Sequence, residues 1–218
     1  DELKTSPHGQ PAFTQISGKP TCQTCHGPVH QMVSHEESAS TINGSHLTET
    51  CAQCHASPMI AKVTGVHLIQ PIEAYKKSVH AQAVEEGKDA PTCAACHGSH
   101  GILPAADPNS QVNRQNVPDT CGTCHADIEK AFQASVHGQA AARGVKDVPV
   151  CTDCHGEHRI LSVSDPGSPV FASNLPAMTC GRCHGDLRVA EKFGLPENVV
   201  PSFEDSFHGL SSRAGSQT

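Results

Sequence analysis

Six short stretches of this chain share one arrangement, two cysteines separated by two residues with a histidine directly after the second. They are Cys22-Gln-Thr-Cys25-His26, Cys51-Ala-Gln-Cys54-His55, Cys93-Ala-Ala-Cys96-His97, Cys121-Gly-Thr-Cys124-His125, Cys151-Thr-Asp-Cys154-His155 and Cys180-Gly-Arg-Cys183-His184. All 12 cysteines are used in these six copies. Cys-x-x-Cys-His is the pattern of c-type haem attachment: the two thiols form thioethers with the vinyl groups and the adjacent histidine reaches the iron as proximal ligand. A single Cys-x-x-Cys would equally suit a thioredoxin-like redox pair or half of a zinc site. Six copies, each followed by histidine, disfavour both, and a disulfide framework gives no reason for the histidine. The expectation is six covalently attached haem c groups.

Haem iron has two axial positions, so the histidines outside these motifs matter as much as those within them. Of 16 histidines, ten lie outside: His8, His30, His35, His46, His67, His80, His100, His137, His158 and His208. Setting the motifs in register shows a period larger than the motif itself. Residues 6–55, 78–125 and 135–184 each open on Ser-x-His (SPHGQ, SVHAQ, SVHGQ), continue into a first Cys-x-x-Cys-His with a further histidine three or four residues on, and close on a second motif. The proximal histidines inside the three blocks are 29, 28 and 29 residues apart. The chain therefore divides into dihaem module 1 (1–55), a linker (56–77), module 2 (78–125), a linker or helix (126–134), module 3 (135–184) and a C-terminal segment (185–218) that opens a fourth module with Ser206-Phe207-His208-Gly209.

The register singles out His8, His80 and His137, which open the modules, and His30, His100 and His158, which follow the first motifs, as distal ligand candidates. Which haem each one serves does not follow from spacing. His35, His46 and His67 have no counterparts in register and are expected to be ordinary polar side chains. Met32, Met59 and Met178 do not recur either, so bis-histidine coordination is expected rather than the methionine ligation that raises potential. His208 has three readings: a ligand within its own chain, a ligand to a haem of a neighbouring subunit, or a ligand to a haem of a fourth module. The first expectation is that His8 stays internal and His208 is the outlier.

The elements that must position these groups are harder to read. Residues 71–87 and 126–144 suit helices, each carrying its Ser-x-His in the helix body, the second with Ile128, Phe132 and Val136 along one side. Only 36% of the chain is hydrophobic, 3% is aromatic and there is no Trp, too little for a conventional core of this size, so haem faces are expected to fill the interior. Frequent Pro and Gly elsewhere predict irregular loops with short α-helices wrapped around a chain of six haems, and little or no β-sheet. The formal charge of −7 disfavours nucleic acid as partner and, with haem propionates added, gives an acidic protein. No apolar run is long enough to span a bilayer. Since c-type haem is attached outside the cytoplasm, an extracytoplasmic location (periplasmic, cell-surface or extracellular) after removal of a signal peptide is expected.

Through its CxxCH, CHGxH and SxHG elements the chain resembles the multihaem c-type cytochromes, most of all the extracytoplasmic electron-transfer cytochromes of metal- and sulfur-respiring prokaryotes, some of which polymerise into extracellular filaments. The resemblance implies closely stacked haems in a continuous chain, and redox partner proteins or extracellular metal acceptors. It also implies a homo-polymer, in which a histidine of one subunit completes a haem of the next, or a place in a larger respiratory complex. The expected role is non-catalytic electron transfer. The alternative, a nitrite- or hydroxylamine-converting enzyme, relies on a haem with an open axial position, a Cys-x-x-Cys-Lys motif or a tyrosine cross-link. All six motifs here end in His, and the only tyrosine is Tyr75.

Overall fold

Short helices make up the regular structure of the computed structural model, which describes residues 2–10, 20–58, 60 and 70–214. No strand occurs among the described residues. Met59 and residues 61–69 of the first linker, His67 among them, lie outside the described residues. The chain forms two compact units, Asp1–Val150 and Cys151–Thr218, and the boundary falls inside the third repeat. None of the helices is long and apolar enough among the described residues to cross a membrane.

Helices α1 (Glu2–Thr5), α2 (Cys22–His26), α3 (Gly44–His55), α4 (Pro71–Lys76), α5 (Val79–Glu85), α6 (Cys93–His97), α7 (Val117–Gly122), α8 (Ala126–Ala134) and α9 (Val136–Ala142) belong to the first unit. The second holds α10 (Cys151–His155), a π-helical turn (Leu175–Cys180), α11 (Gly181–His184), α12 (Leu187–Phe193), α13 (Val199–Glu204) and α14 (Phe207–Arg213). The buried aliphatic residues among those described are few: Ile72, Ala81, Val117, Val148, Val150 and Ala190. The buried polar residues are serines and one threonine, and most recur in register: Ser6 and Ser78 in the module openings, Ser40, Ser110 and Ser168 in the loops between motifs.

The two long helices expected over 71–87 and 126–144 are each broken in two at the serine of Ser-x-His, so the ligand candidate does not lie in a helix body. Ser78 (φ −82°, ψ 158°) and Ser135 (φ −74°, ψ 163°) are extended and act as N-caps, accepting from the backbone N–H of Ala81 and Gly138 at 3.1 Å. The Ser135 hydroxyl also donates to the Phe132 carbonyl of the preceding helix at 2.6 Å, so one side chain ends α8 and starts α9. Cap satisfaction of two otherwise orphaned backbone groups outweighs the favourable helix propensity of the Ala-, Gln- and Glu-rich flanks. Ser206 does the same at α14, accepting from Gly209 N–H at 3.2 Å and donating to Phe203 carbonyl at 2.6 Å. The apolar stripe expected on α8 and α9 is not packed on protein either: Ile128 is 68% and Val136 77% exposed.

This tight join explains the glycine after the histidine. A Cβ built on Gly138 would collide with the carbonyl group of Phe132 and stand 2.8 Å from the Gln133 Cα. Module 2 carries Ala81 at this place, and there α4 stops earlier, with Lys77 as well as Ser78 between the helices. Gly138→Ala is therefore expected to lower stability by about 1–3 kcal/mol, the usual range for forced overpacking. A shift of the denaturant midpoint at unchanged slope would show it, and an unchanged midpoint would contradict it.

The loops between the first and second motif of each module share one set of latches. Thr50, Thr120 and Thr179, each directly before a second-motif cysteine, donate their hydroxyls to the carbonyls of Thr41, Gln111 and Pro169 at 2.6, 2.7 and 2.6 Å. Asn116 donates to the carbonyls of Pro108 and Ser110, and Asn174 to those of Pro166 and Ser168, at 2.8–2.9 Å. In module 1 His46 takes this place, its Nε2 donating to the Ser38 carbonyl at 2.9 Å. The equal spacing of modules 1 and 3 hides two different insertions: module 1 has its extra residue before the buried serine, and module 3 has its own between Ser168 and Cys180. The latter is absorbed by the π-turn, the usual accommodation of one surplus residue in a helix.

Candidate haem-binding site

The six Cys-x-x-Cys-His stretches adopt two local forms. First-motif stretches are five-residue helices, α2, α6 and α10, followed directly by Gly27, Gly98 and Gly156 at φ 79°, 79° and 80°. A side chain is strained in that conformation, and glycine lets the chain turn sharply once the histidine has been placed. Second-motif stretches instead lie at helix ends: Cys51 to His55 closes α3, Cys121 and Gly122 close α7 before His125 caps α8, and Cys180 joins the π-turn to α11. No disulfide joins the 12 cysteines, each of which is at least partly accessible. Among the described residues no group of three or more His, Cys, Asp or Glu side chains is gathered into a metal centre.

Thiols of consecutive motifs sense one another. Cys51 and Cys93 are hydrogen-bonded; this bond, helped by the Thr48 hydroxyl, brings Cys93 down to about 7 against the opposing effect of burial. The same bond, followed by burial, pushes Cys51 up. Burial raises Cys25, with the nearby charges of Cys54 and Cys22 adding to it, and burial raises Cys96, with Cys93 and Cys124 adding. Motifs one to four of the first unit are thus neighbours in chain order. In the second unit burial raises Cys154, and Cys180 and Cys183 of the next motif contribute, so motifs five and six adjoin as well.

Histidines from the ligand register face motif histidines at a constant separation. His8 and His55 have ring centroids 6.0 Å apart with planes at 70°. His80 and His125 stand 6.3 Å apart at 36°. His26 and His100 stand 6.0 Å apart and are nearly parallel, at 5°. A metal–nitrogen bond of about 2 Å, plus about 1.1 Å from ring nitrogen to ring centre, taken on both sides of one metal, gives roughly 6.2 Å. Imidazoles packed on each other would be closer, since their faces would touch. The residues present therefore fit an iron between each pair, with the paired cysteines beside it for attachment. Burial lowers the pKa of His8, of His55, to whose shift His8 adds, and of His80, to whose shift His125 adds, favouring the neutral imidazole that a metal ligand requires.

The other candidates are distributed as follows. His137 sits at the second position of α9, the place His80 occupies in α5, and is half-buried. His158 is half-buried, and burial lowers its pKa despite Glu157. His30 is exposed on a 3-10 turn, Val29–Gln31. His208, also at the second position of its helix, is exposed, with its ring 6.0 Å from that of Phe207. Tyr75 donates its hydroxyl to the Pro91 carbonyl at 2.9 Å, two residues before Cys93, and burial pushes it up to about 12, with Cys93, Cys96 and Glu85 adding. It serves there as a protonated donor that holds the approach to the third motif.

Sequence reasoning missed the supporting residues: the capping serines, the buried Ser40, Ser110 and Ser168, and the threonine before each second motif. Their signal was present as recurrence in register, masked by how ordinary Ser and Thr are in loops. No family model, curated protein or solved structure matches this chain.

Proposed function

We propose that this chain is an extracytoplasmic electron-transfer protein carrying six covalently attached c-type haems, bis-histidine ligated, spaced closely enough to pass electrons over its length. The carrying observation is the three histidine pairs at 6.0–6.3 Å, each joining one Cys-x-x-Cys-His histidine to one histidine of the repeat register. Haem c supplies one-electron iron chemistry when bound. The cysteines of each motif would hold it, with His26, His55, His97, His125, His155 and His184 as proximal ligands. Neighbouring motifs within each unit follow chain order, so the attachment points form rows rather than isolated sites. The exposed Val136 and Phe207, beside His137 and His208 at the starts of their helices, are apolar surface suited to a porphyrin face.

Both axial positions being filled favours a conduit over an enzyme, since substrate then has no place on the iron. Redox proteins, or metal acceptors outside the cell, are the proposed partners, with assembly into a homo-polymer or a respiratory complex as its setting. The test is to produce the chain with haem attachment, count haems by the pyridine haemochrome method, and record electron paramagnetic resonance of the oxidised protein. Six low-spin haems are expected. The near-parallel His26–His100 pair should give a rhombic signal and the steeply crossed His8–His55 pair a strongly anisotropic one. A chain that takes up no haem, or that shows high-spin iron throughout, would refute the reading.

A further inference from the structure

Two threonine hydroxyls link the first Cys-x-x-Cys-His motif of module 1 to the second. The Thr41 hydroxyl donates to the Cys25 carbonyl at 2.6 Å, and the Thr41 carbonyl accepts from the hydroxyl of Thr50, directly before Cys51, at 2.6 Å. Cys25 lies in the last turn of α2, where carbonyls have no partner within the helix. At the second motif the matching carbonyl, that of Cys54, is met by the backbone N–H of Ser57 at 2.9 Å. At the first motif Gly27, with φ 79°, turns the chain away after His26, and a hydroxyl 16 residues along the chain from Cys25 meets the carbonyl instead. Thr41 sits against that turn: a Cβ built on Gly27 would have Thr41 Oγ1 at 3.9 Å and Cγ2 at 4.0 Å.

We propose that Thr41 is a positioning residue for His26: its hydroxyl fixes the peptide plane between Cys25 and His26, and through Thr50 it ties the orientation of that histidine to the second motif of the same module. This deepens the haem reading and rests on it. The Cys25 carbonyl and the His26 N–H belong to one planar unit, so a bond to the carbonyl limits rotation of the backbone that carries the His26 side chain. Such outer partners orient the ligands of a metal and tune it. The rings of His26 and His100 lie 5° from parallel, against 36° and 70° in the other two pairs, so a small rotation at His26 alters its pair the most in kind. The residue after the buried serine is not threonine in the other modules. It is Gln111 after Ser110 and Pro169 after Ser168, and proline has no side-chain donor, so module 3 cannot build this strut from that place.

The test uses the full haem-loaded chain in four forms, unaltered, Thr41→Val, Thr41→Ser and Thr50→Val, each oxidised and compared by haemochrome count and electron paramagnetic resonance. The Thr41 bond is at an exposed position, so Thr41→Val is expected to keep the fold, and six low-spin haems are expected in all four forms. In Thr41→Val the rhombic signal of the near-parallel pair is expected to lose most of its intensity to a more anisotropic one, with the signals of the other haems unmoved. Thr41→Ser, which keeps the hydroxyl, is expected to match the unaltered chain. Thr50→Val frees the far end of the strut and is expected to give a smaller shift in the same direction. An unchanged rhombic signal in Thr41→Val, or an equal loss in Thr41→Ser, would overturn the role of the hydroxyl. An unmoved signal in Thr50→Val would overturn the tie to the second motif, and this variant decides alone if Thr41→Val attaches fewer than six haems. Each of those results, obtained on low-spin haems, leaves the bis-histidine reading intact; absence of bound haem in every form would instead sink that reading and the strut's role with it.

Discussion

A chain carrying Cys93→Ser and Cys96→Ser together is expected to hold five haems instead of six and to stop passing electrons between the two ends of its first unit. The third motif is the link there: its Cys93 bonds the Cys51 thiol of the second motif, and its Cys96 is close enough to Cys124 of the fourth to be raised by it. Removing it leaves attachment points one and two on one side and four on the other. Cys22→Ser with Cys25→Ser is the matched control, since it also removes one haem but leaves motifs two, three and four in an unbroken row. The measurement is conductance of a protein film between electrodes, with haemochrome counts to confirm five haems in each variant. Equal conductance in both variants would show that the row of motifs is not the path.

His80→Met is expected to keep its haem low-spin and raise that haem's potential on the order of 100 mV, a modest part of the roughly 0.8 V that axial ligation spans. His80 stands at the second position of α5, held by the Ser78 cap, and its ring faces that of His125 at 6.3 Å. A thioether at that place is a weaker donor to ferric iron than imidazole, so the reduced form gains relatively. Spectroelectrochemical titration reads the change as one component of six displaced upward. His46→Met serves as comparison: His46 spends its Nε2 on the Ser38 carbonyl, in the place Asn116 and Asn174 take in the other modules, so no potential should move. A uniform shift of all components, or none in His80→Met, would remove His80 from the ligand set.

Much of this was legible in the residues before any coordinates. The six motifs, the three-fold register and the candidate ligands are local patterns, and the shortage of aliphatic residues agrees with how few of them are buried. The absence of strands among the described residues also agrees with the density of Pro and Gly. What escaped was set by competition between local terms and by distance along the chain. Over 126–144 the residues favour helix almost throughout, and a single serine hydroxyl that satisfies both neighbouring helix ends decides the break. The pairing of His26 with His100 escaped for another reason: His30 and His100 follow their own motifs at similar spacing, four and three residues on, and only the fold separates the near candidate from the distant one. The near-equal module lengths also gave no hint that two of them carry their extra residue in different places.

Those two surplus positions say something about how such a chain can change over evolutionary time. Module 1 lengthens just after its first Cys-x-x-Cys-His motif, module 3 in the π-turn of Leu175–Cys180, and in both the threonine latch ahead of the second motif is still made. A single-residue insertion in a regular helix would rotate everything beyond it by about 100°, the angle between successive residues at 3.6 per turn. Here the surplus is taken up before the second cysteine pair is reached. These segments act as expansion joints, letting copies of the unit drift in length and composition while the direction in which each histidine points is inherited unchanged.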